Sequence, residues 1–466
     1  MDEARFLQEV DAFIERSKEA FLADLGALVA VNSVQGAAQP GAPFGPGPKQ
    51  ALDTALDIAR RMGLAAHSCE GYMGYADLPG QSERQIATIA HLDVVPEGNG
   101  WTGKPFEMAR REGYLLGRGV CDDKGPAVIT LYMAKFFKER GETLPYTLRI
   151  LLGANEETGM GDVDYYLAHY PQPAFCITPD AEFPVCYGEK GGYGGWLISA
   201  PLEGALLDFS GGVARNVVPD RAAALVRADI AALHNTENVT VTAERDGVVR
   251  ISGFGKGGHA AMPAGTVNAI ALVVNYILDN GLCTEAERRA LSMLRTLHAS
   301  TDGSSVGIAA RDEVFDPLTC VGGVIKMEEG CLRQSIDIRF PTSIDANTMR
   351  AALSRLAETA GGRFEPVREN KPFYIDPNTP PIQTLVRTYN EVMGTDAKPF
   401  TMGGGTYARH FDNAVSFGIE QPAGLETPPA WVGTMHGPDE GVREGLLWDS
   451  LKIYILAVAR LMQLAL

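Results

Sequence analysis

Hydrophobic and polar positions follow two different periods along the chain, and these periods predict the order of helices and strands. From Phe6 to Leu25 apolar residues recur every three or four positions, which predicts an amphipathic helix. Continuous apolar runs at 85–91 and 147–152 predict buried strands, with a helix over about 125–140 between them. Short buried strands that alternate with helices are typical of α/β layering, in which functional groups lie at strand ends.

The pattern changes in the middle of the chain. Short glycine-rich apolar segments alternate there with helical patterns near 266–280 and 346–360, around a charged helical stretch near 284–298. This arrangement predicts an inserted α+β module built of two similar halves. The α/β character then returns and ends in a helix over about 444–464. The predicted boundaries are residues 1–189 for the first part of an α/β domain, 190–385 for the insertion and 386–466 for the second part.

Composition removes several classes of partner and compartment. The chain has 41 Lys and Arg residues against 58 Asp and Glu, a formal charge of −17, which disfavours binding to nucleic acid or anionic lipid. The seven cysteines form no C-x-x-C pair, and the N-terminus has no secretory pattern, so we expect reduced thiols and a cytoplasmic location. The apolar stretches are too short, or too interrupted by charge, to predict a membrane span.

Five short stretches carry side chains of the kind that bind metals, each where a strand or helix meets a loop. Together they supply two histidines and four or five carboxylates, whose negative charges would repel one another without cations. Nitrogen and oxygen ligands suit zinc, so the pattern predicts a two-metal hydrolytic site. Of two adjacent acids, one can bind metal while its neighbour acts as a general base. The stretches are HLDVVP (91–96), GRGVCDDKGP (117–126), NEETG (155–159), TPDAE (178–182) and MHGPDE (435–440).

In this order the five stretches resemble the aminoacylase/carboxypeptidase/carnosinase family of di-zinc metallopeptidases. The stretches GEKGGYGG, GGVARNVVPD, GKGGHAAMP and TMGGGTYARHF are similar to its PepV-type dipeptidase branch, and the likeness runs from about residue 85 to 441. The resemblance implies a three-layer, zinc-exopeptidase-like α/β catalytic domain with an inserted α+β lid domain.

The resemblance also implies a set of metal ligands. Asp122 would bridge two Zn²⁺ ions per chain, and the peptide bond from Asp122 to Asp123 would be cis. One ion would be held by His91 and Asp180, the other by Glu157 and His436. Mn²⁺ or Co²⁺ could substitute for zinc.

Further roles follow from the same resemblance. Glu156 would be the general base, and Asp93 would orient His91. His259 of the insertion would stabilise the oxyanion, and Arg339 would grip the substrate carboxylate. The remaining residues implied to hold the substrate are Asn216, Gly404 and Gly405.

The resemblance thus implies a metal-dependent dipeptidase that hydrolyses dipeptides with a free N-terminus, of Xaa-His, β-Ala or broad specificity. A zinc-bridged water would attack the peptide bond while Glu156 accepts its proton. One alternative is an N-acyl-amino-acid deacylase or carboxypeptidase of the same family, which does not require a free substrate amine. A non-catalytic binding protein is disfavoured because every implied ligand and Glu156 are present. A doubled lid could supply His259 from its own chain, which predicts a monomer.

Overall fold

The computed structural model describes residues 3–422 and 427–466. The predicted N-terminal helix, the helix over 125–140 and the C-terminal helix are confirmed. The α-helices of the described residues are α1 (Glu3–Val29), α2 (Pro46–Arg61), α3 (Lys124–Arg140), α4 (Gly161–His169), α5 (Ala269–Asp279), α6 (Glu285–His298), α7 (Ala346–Glu358), α8 (Pro380–Met393) and α9 (Glu444–Leu461).

The strands include both of the buried strands predicted near the N-terminus, at 82–91 and 146–153. In chain order the described strands are β1 (Ala65–Cys69), β2 (Met73–Leu78), β3 (Ser82–His91), β4 (Ala109–Arg111), β5 (Tyr114–Leu116), β6 (Tyr146–Gly153), β7 (Phe175–Thr178), β8 (Ala181–Glu182), β9 (Cys186–Glu189), β10 (Gly191–Ile198), β11 (Leu206–Gly211), β12 (Val217–Val218), β13 (Arg221–Arg227), β14 (Val239–Arg245), β15 (Val248–Phe254), β16 (Gly258–His259), β17 (Thr319–Glu328), β18 (Cys331–Phe340), β19 (Arg363–Asn370), β20 (Phe373–Tyr374), β21 (Phe400–Met402), β22 (Ala414–Ser416), β23 (Ile419–Glu420) and β24 (Gly441–Arg443).

The chain divides into two compact units, the second of which is an insertion into the first. The first unit comprises Met1–Tyr187, Tyr374–Phe400 and Gly405–Leu466, and the second comprises Gly188–Phe373 with Thr401–Gly404. Residues 374–385, which the sequence pattern assigned to the insertion, belong to the first unit. The reason is that helix α8 begins at Pro380 and buries Ile382 and Leu385 in the core of the first unit, where it packs on α9.

The first unit is built on a sheet whose central strands run parallel. Strands β6, β3, β7 and β22 are neighbours in that order, and all three pairings between them are parallel. Strands β1 and β2 extend the sheet in antiparallel fashion beside β6. The carboxyl ends of the parallel strands therefore meet at one edge of the sheet, where ligands bind in open α/β folds.

Helices cover both faces of this sheet. Alternate side chains of β6 (Leu148, Ile150 and Leu152) are buried in one apolar cluster with residues of α2 and α3. Between them Arg149 points the other way and donates a hydrogen bond to Tyr166 of α4, at 2.8 Å. Because successive side chains of a strand lie on opposite faces, α4 packs opposite α2 and α3. The three-layer α/β arrangement of the first unit follows.

The second unit contains an antiparallel sheet of eight strands in the order β14-β15-β13-β11-β17-β18-β10-β19. Helix α5 packs on β13 and β15, and helix α7 packs on β10 and β19. Helix α6 begins with a capping box, in which Thr284 and Glu287 satisfy each other's backbone N–H groups. The predicted α+β insertion is confirmed, and its division into two similar halves stays a prediction. No helix among residues 3–422 and 427–466 is long and apolar enough to cross a membrane.

Replacing Phe13 by Ala should lower the free energy of unfolding by about 3–5 kcal/mol, because a buried aromatic side chain leaves a cavity when it is truncated. The Phe13 ring is fully buried between α1 and α3, edge-on to Phe136 at 5.3 Å between centroids. Urea unfolding measures the change. Glu19→Ala, on the exposed face of the same helix, is the control and should stay within about 0.5 kcal/mol of the original chain. An equal effect of the two substitutions would contradict this packing.

Candidate metal centre

The parallel strands bring four of the predicted site residues to one edge of the sheet. His91 is the last residue of β3 and lies in register with Gly153, the last residue of β6. Glu156 and Glu157 follow β6 directly, and Asp180 lies two residues after β7. Strand direction and register therefore place side chains from distant parts of the sequence side by side.

The carboxylate of Asp122 lies between the two predicted histidine ligands. Its Oδ1 is 2.8 Å from His91 Nε2, and its Oδ2 is 2.8 Å from His436 Nε2. The peptide bond from Asp122 to Asp123 is cis, as the resemblance implied. One carboxylate thus presents one oxygen to each histidine, which is the arrangement that a bridging ligand requires.

These contacts shift the pKa values of all three groups. Burial disfavours the charged form of His91, but hydrogen bonds to Asp122 and Asp93 outweigh it and hold the His91 pKa well above its usual range. The nearby carboxylates of Asp122 and Glu157 raise the pKa of His436 to about 10. Burial would raise the pKa of Asp122, yet the hydrogen bonds from His436 and His91 hold it below its ordinary value.

Each histidine has a second carboxylate close to it. Glu157 Oε1 lies 3.2 Å from His436 Nε2, and Asp180 Oδ2 lies 3.9 Å from His91 Nε2. Oxygen atoms of Glu156 and Asp180 lie within 4.8 Å of each other and of a His91 ring nitrogen. The structure therefore brings the predicted ligands together around Asp122, but ligand atoms of His91, Asp122 and Glu157 also lie within 4.8 Å of one another, across the two implied sets. The division of the ligands between two ions stays a prediction.

The donor set fits divalent metal ions. Glu157 Oε1 is buried and accepts no hydrogen bond of good geometry within the described residues. Burial and the charge of neighbouring carboxylates raise the pKa of Asp180 to about 7 and that of Glu156 well above its usual range. Carboxylates that repel one another in this way are stabilised by cations, and mixed imidazole and carboxylate ligands suit zinc.

Asp93 contacts both His91 and the loop that carries Glu156. Its backbone oxygen accepts a hydrogen bond from His91 Nδ1 at 2.9 Å, while its carboxylate Oδ1 is 3.6 Å from the same nitrogen. The carboxylate oxygens accept the backbone N–H groups of Glu156 and Glu157, at 3.1 and 3.2 Å. The backbone of Asp93, more closely than its side chain, therefore orients the imidazole, and the side chain holds the glutamate loop.

Sequence reasoning missed a buried carboxylate that binds the backbone just before Glu156. Asp162 of α4 accepts the backbone N–H groups of Ala154 and Asn155, at 2.6 and 2.9 Å, and a hydrogen bond from the Tyr407 hydroxyl. A Cβ atom on Gly153 would lie 2.1 Å from the Tyr407 oxygen, so only glycine fits there. An acid at the start of a helix carries no signal of such a role, because it is usual there for capping.

Two further sets of residues near the site were also missed. Glu420 of β23 lies opposite Glu182 of β8, and burial together with the charges of Asp180 and Asp122 raises the pKa of Glu420 to about 8. Arg118 and Glu440 form an ion pair that is 1% exposed on each side. Both members of this pair stand inside the quoted motifs GRGVCDD and MHGPDE, which were the one signal that could have found them.

The second unit carries all but one of the residues implied to contact the substrate. His259 lies at the end of β16, where it is exposed, and its Nδ1 accepts the N–H of Ala261 at 3.2 Å. Asn216 is exposed in the loop before β12. Arg339 is buried and donates to both carboxylate oxygens of Asp337, at 2.7 and 3.1 Å.

Arg339 also contacts the first of three consecutive glycines at 403–405, since its Nη1 donates to the backbone oxygen of Gly403 at 3.3 Å. Gly404 is the last residue of the second unit, and Gly405 belongs to the first. Arg339 is thus already paired with a carboxylate of its own unit, and its predicted grip on a substrate carboxylate stays a prediction. The implied roles of His259, Asn216 and the two glycines also stay predictions.

Comparison with known proteins identifies the family of the chain. Residues 87–463 match the model of peptidase family M20/M25/M40. The chain belongs to peptidase family M20/M25/M40. This M20 peptidase is 28% identical over 464 residues to a Bacillus subtilis protein named "Putative dipeptidase YtjP", covering 96% of this chain and 98% of the relative.

Solved structures support the fold of the M20 peptidase. It is similar to the di-peptidase Dug1p of Saccharomyces cerevisiae, with a TM-score of 0.62, 13% identity and 99% of each chain covered. It is also similar to human carnosine dipeptidase 1, with a TM-score of 0.58, 14% identity, and 98% of this chain and 100% of the other covered. Membership of this peptidase family identifies the chain as a hydrolase that acts on peptide bonds.

The metal-free M20 peptidase should lose stability as the pH rises from about 5 to 9. Folding raises the pKa of Asp180 from ~3.9 in the unfolded chain to about 7, and that of His436 from ~6.5 to about 10. Between each pair of values the folded protein binds more protons than the unfolded chain, so the free energy of unfolding falls as the pH rises. The lowered pKa of Asp122 acts only at more acidic pH.

Urea unfolding in the presence of a chelator, at several pH values, measures this slope. His436→Gln is the matched variant, because it removes the titrating imidazole and should flatten the slope between about pH 7 and 9. A free energy of unfolding that rises with pH over this range in the original chain would contradict the prediction.

Proposed function

We propose that this M20 peptidase is a two-metal dipeptidase that hydrolyses dipeptides with a free N-terminus. The observation that carries the proposal is the position of Asp122, whose two carboxylate oxygens lie 2.8 Å from His91 and 2.8 Å from His436. One residue that faces two histidines in this way can be shared by two ions. The relative in Bacillus subtilis named as a dipeptidase supports the choice of substrate.

Each ion would be held by nitrogen and oxygen ligands on its own side of Asp122. His91 and Asp180 would hold one ion, and His436 and Glu157 the other. When bound, divalent ions such as Zn²⁺ polarise the scissile carbonyl and lower the pKa of water at the site. Zinc is the ion that this donor set favours, and Mn²⁺ or Co²⁺ could take its place.

Glu156 would move the proton. Without metal ions, burial and the neighbouring carboxylates, Asp180 first, raise the pKa of Glu156 well above its usual range. A glutamate carboxylate is a group that can take a proton from water as a general base. The backbone of Glu156 is held by Asp93, which limits where the carboxylate can reach. Glu156 would accept a proton from the attacking water and then deliver it to the leaving amine of the peptide bond.

The substrate contacts belong to the same proposal. His259 would stabilise the oxyanion, Arg339 would bind the substrate carboxylate, and Asn216 with Gly404 and Gly405 would hold its C-terminal half. We also propose that the peptidase acts as a monomer in the cytoplasm. The substrate contacts come from the resemblance of the motifs, and their support is the match of the family model to residues 87–463. The monomer follows from the predicted doubled lid, and the cytoplasmic location from the cysteine content and the N-terminal sequence.

Glu156→Gln should retain two ions and lose about 10²- to 10⁴-fold in kcat, because the amide cannot accept the proton. Metal analysis of the purified variant and single-turnover hydrolysis of Ala-Ala measure the two effects. The same exchange at Glu107, which is exposed, is the control and should leave kcat unchanged. Substantial turnover by Glu156→Gln would contradict the assignment of the base.

A panel of small substrates should separate the dipeptidase from its alternatives. We expect hydrolysis of carnosine, Ala-Ala or Leu-Leu and slower hydrolysis of a tripeptide. N-acetyl-methionine, which lacks a free amine, should not be cleaved. Cleavage of N-acetyl-methionine alone would identify a deacylase instead, and cleavage of nothing in the panel after addition of Zn²⁺ or Mn²⁺ would overturn the proposed activity.

A further inference from the structure

A buried arginine joins three loops around the metal centre. Arg118 is 1% exposed, and its Nη1 donates to Glu440 Oε2 at 2.6 Å. Its Nη2 lies 3.2 to 3.4 Å from three backbone carbonyl oxygens that stand on two other loops, and the guanidinium carbon lies 5.3 Å from the centre of the Trp101 ring. The three carbonyl oxygens belong to Pro96, Glu97 and His436.

Glu440 collects the backbone of the loop that carries Asp122. Its Oε1 accepts the N–H groups of Gly119, Cys121 and Asp122, at 3.0, 3.1 and 3.3 Å. Its own backbone oxygen accepts the N–H of Gly117 at 2.9 Å. The side chain of Glu440 is fully buried, so these hydrogen bonds and its pairing with Arg118 are what stabilise its charge.

The pair therefore connects two metal ligands that are more than 300 positions apart in the sequence. Asp122 is bound through its backbone N–H to Glu440, and His436 is bound through its backbone oxygen to Arg118. The Asp122 carboxylate and the His436 imidazole that are linked in this way lie 2.8 Å apart. Neither Arg118 nor Glu440 lies among the side chains that would bind metal.

The two ends of the metal centre are supported in different ways. His91 ends a strand of the central sheet, and its backbone N–H donates to Asp123 Oδ2 at 3.0 Å. His436 lies in a loop, with its side chain 53% exposed and a backbone φ of 62°. Sheet pairing thus positions His91, whereas the loop of His436 depends on contacts such as those of Arg118 and Glu440.

We propose that Arg118 and Glu440 are positioning residues for one of the two ions, the one that His436 and Glu157 would hold. Loss of the pair should weaken binding of that ion more than binding of the ion at His91 and Asp180, because both ions share Asp122 but only the first depends on the loop of His436. Residues that orient metal ligands typically account for about 10- to 100-fold in metal affinity. This inference rests on the two-metal centre proposed above and adds that binding of its two ions depends unequally on Arg118 and Glu440.

The test is a titration of metal-stripped protein with Zn²⁺ in the presence of a competing chelator, in which calorimetry measures the binding of each ion. Arg118→Met removes the charge and all the hydrogen bonds of the guanidinium. Glu440→Gln keeps the size of the side chain but replaces one carboxylate oxygen by an amide N–H₂. This group cannot accept a hydrogen bond, so either Arg118 or the three backbone N–H groups lose their acceptor. His436→Ala supplies the reference titration for a protein that lacks a ligand of the second ion.

A matched control separates this effect from general loss of stability. Asp77→Asn removes the charge from another ion pair of the first unit, in which the half-buried Asp77 accepts two hydrogen bonds from Arg149 at 2.7 and 2.8 Å. Neither residue contacts the loops that carry metal ligands in the described hydrogen bonds. Asp77→Asn should lower the temperature of unfolding and leave both zinc affinities unchanged.

We expect the original chain to bind two zinc ions. Arg118→Met and Glu440→Gln should bind one of them about 10- to 100-fold more weakly, and this should be the ion whose binding His436→Ala also weakens. Arg118→Lys should restore part of the affinity, because an ammonium keeps the charge but cannot reach Glu440 and the carbonyl oxygens together. Excess Zn²⁺ should restore dipeptide hydrolysis to Arg118→Met but not to Glu156→Gln. Glu440→Gln and Arg118→Lys keep the test decisive if Arg118→Met does not fold.

Two results would overturn the inference while leaving the two-metal centre intact. One is unchanged affinity for both ions in the folded variants, and the other is an equal loss of both. If the original chain binds fewer than two zinc ions, the two-metal centre itself is wrong and the inference falls with it. The titration of the original chain thus distinguishes the two failures.

Discussion

The carboxylate of Asp122, shared between His91 and His436, is the interaction on which the rest of the site depends. It places two imidazoles on opposite oxygens of one residue, and the carboxylates of Glu157 and Asp180 stand beside them. So many acids in one buried place would repel one another, and cations offset that repulsion. The fold of the first unit can be understood as the means of bringing these groups together.

Buried carboxylates hold the loops that regular secondary structure does not. Asp162 accepts the backbone N–H groups of Ala154 and Asn155, and Asp93 accepts those of the next two residues. Glu440 accepts three N–H groups of the loop that carries Asp122. Each of these loops is irregular, and a single anion satisfies two or three of its donors at once. The same device therefore positions the glutamate loop and the bridging aspartate.

Much of the fold could be predicted from the sequence, and so could the residues that meet at the candidate site, because both leave local signals. Apolar periodicity marked α1, α3, β3 and β6, and short motifs of acids and histidines marked the ligands at the ends of strands. The end of the insertion was not predicted well. Helix α8 has an amphipathic pattern that would suit a core in either unit, and only its packing on α9 assigns it to the first.

The sequence by itself determined which residue types were available for chemistry and in what order they follow the strands. Of the two adjacent acids, the resemblance named Asp122, and the tertiary structure gives the reason: Asp122 faces the histidines while Asp123 accepts the backbone N–H of His91. Only the tertiary structure decided that Arg118 pairs with Glu440, far along the chain. The physical reason is that periodicity and motifs are properties of neighbours in sequence, whereas the direction of a buried side chain is set by hydrogen bonds and charges that folding brings from elsewhere.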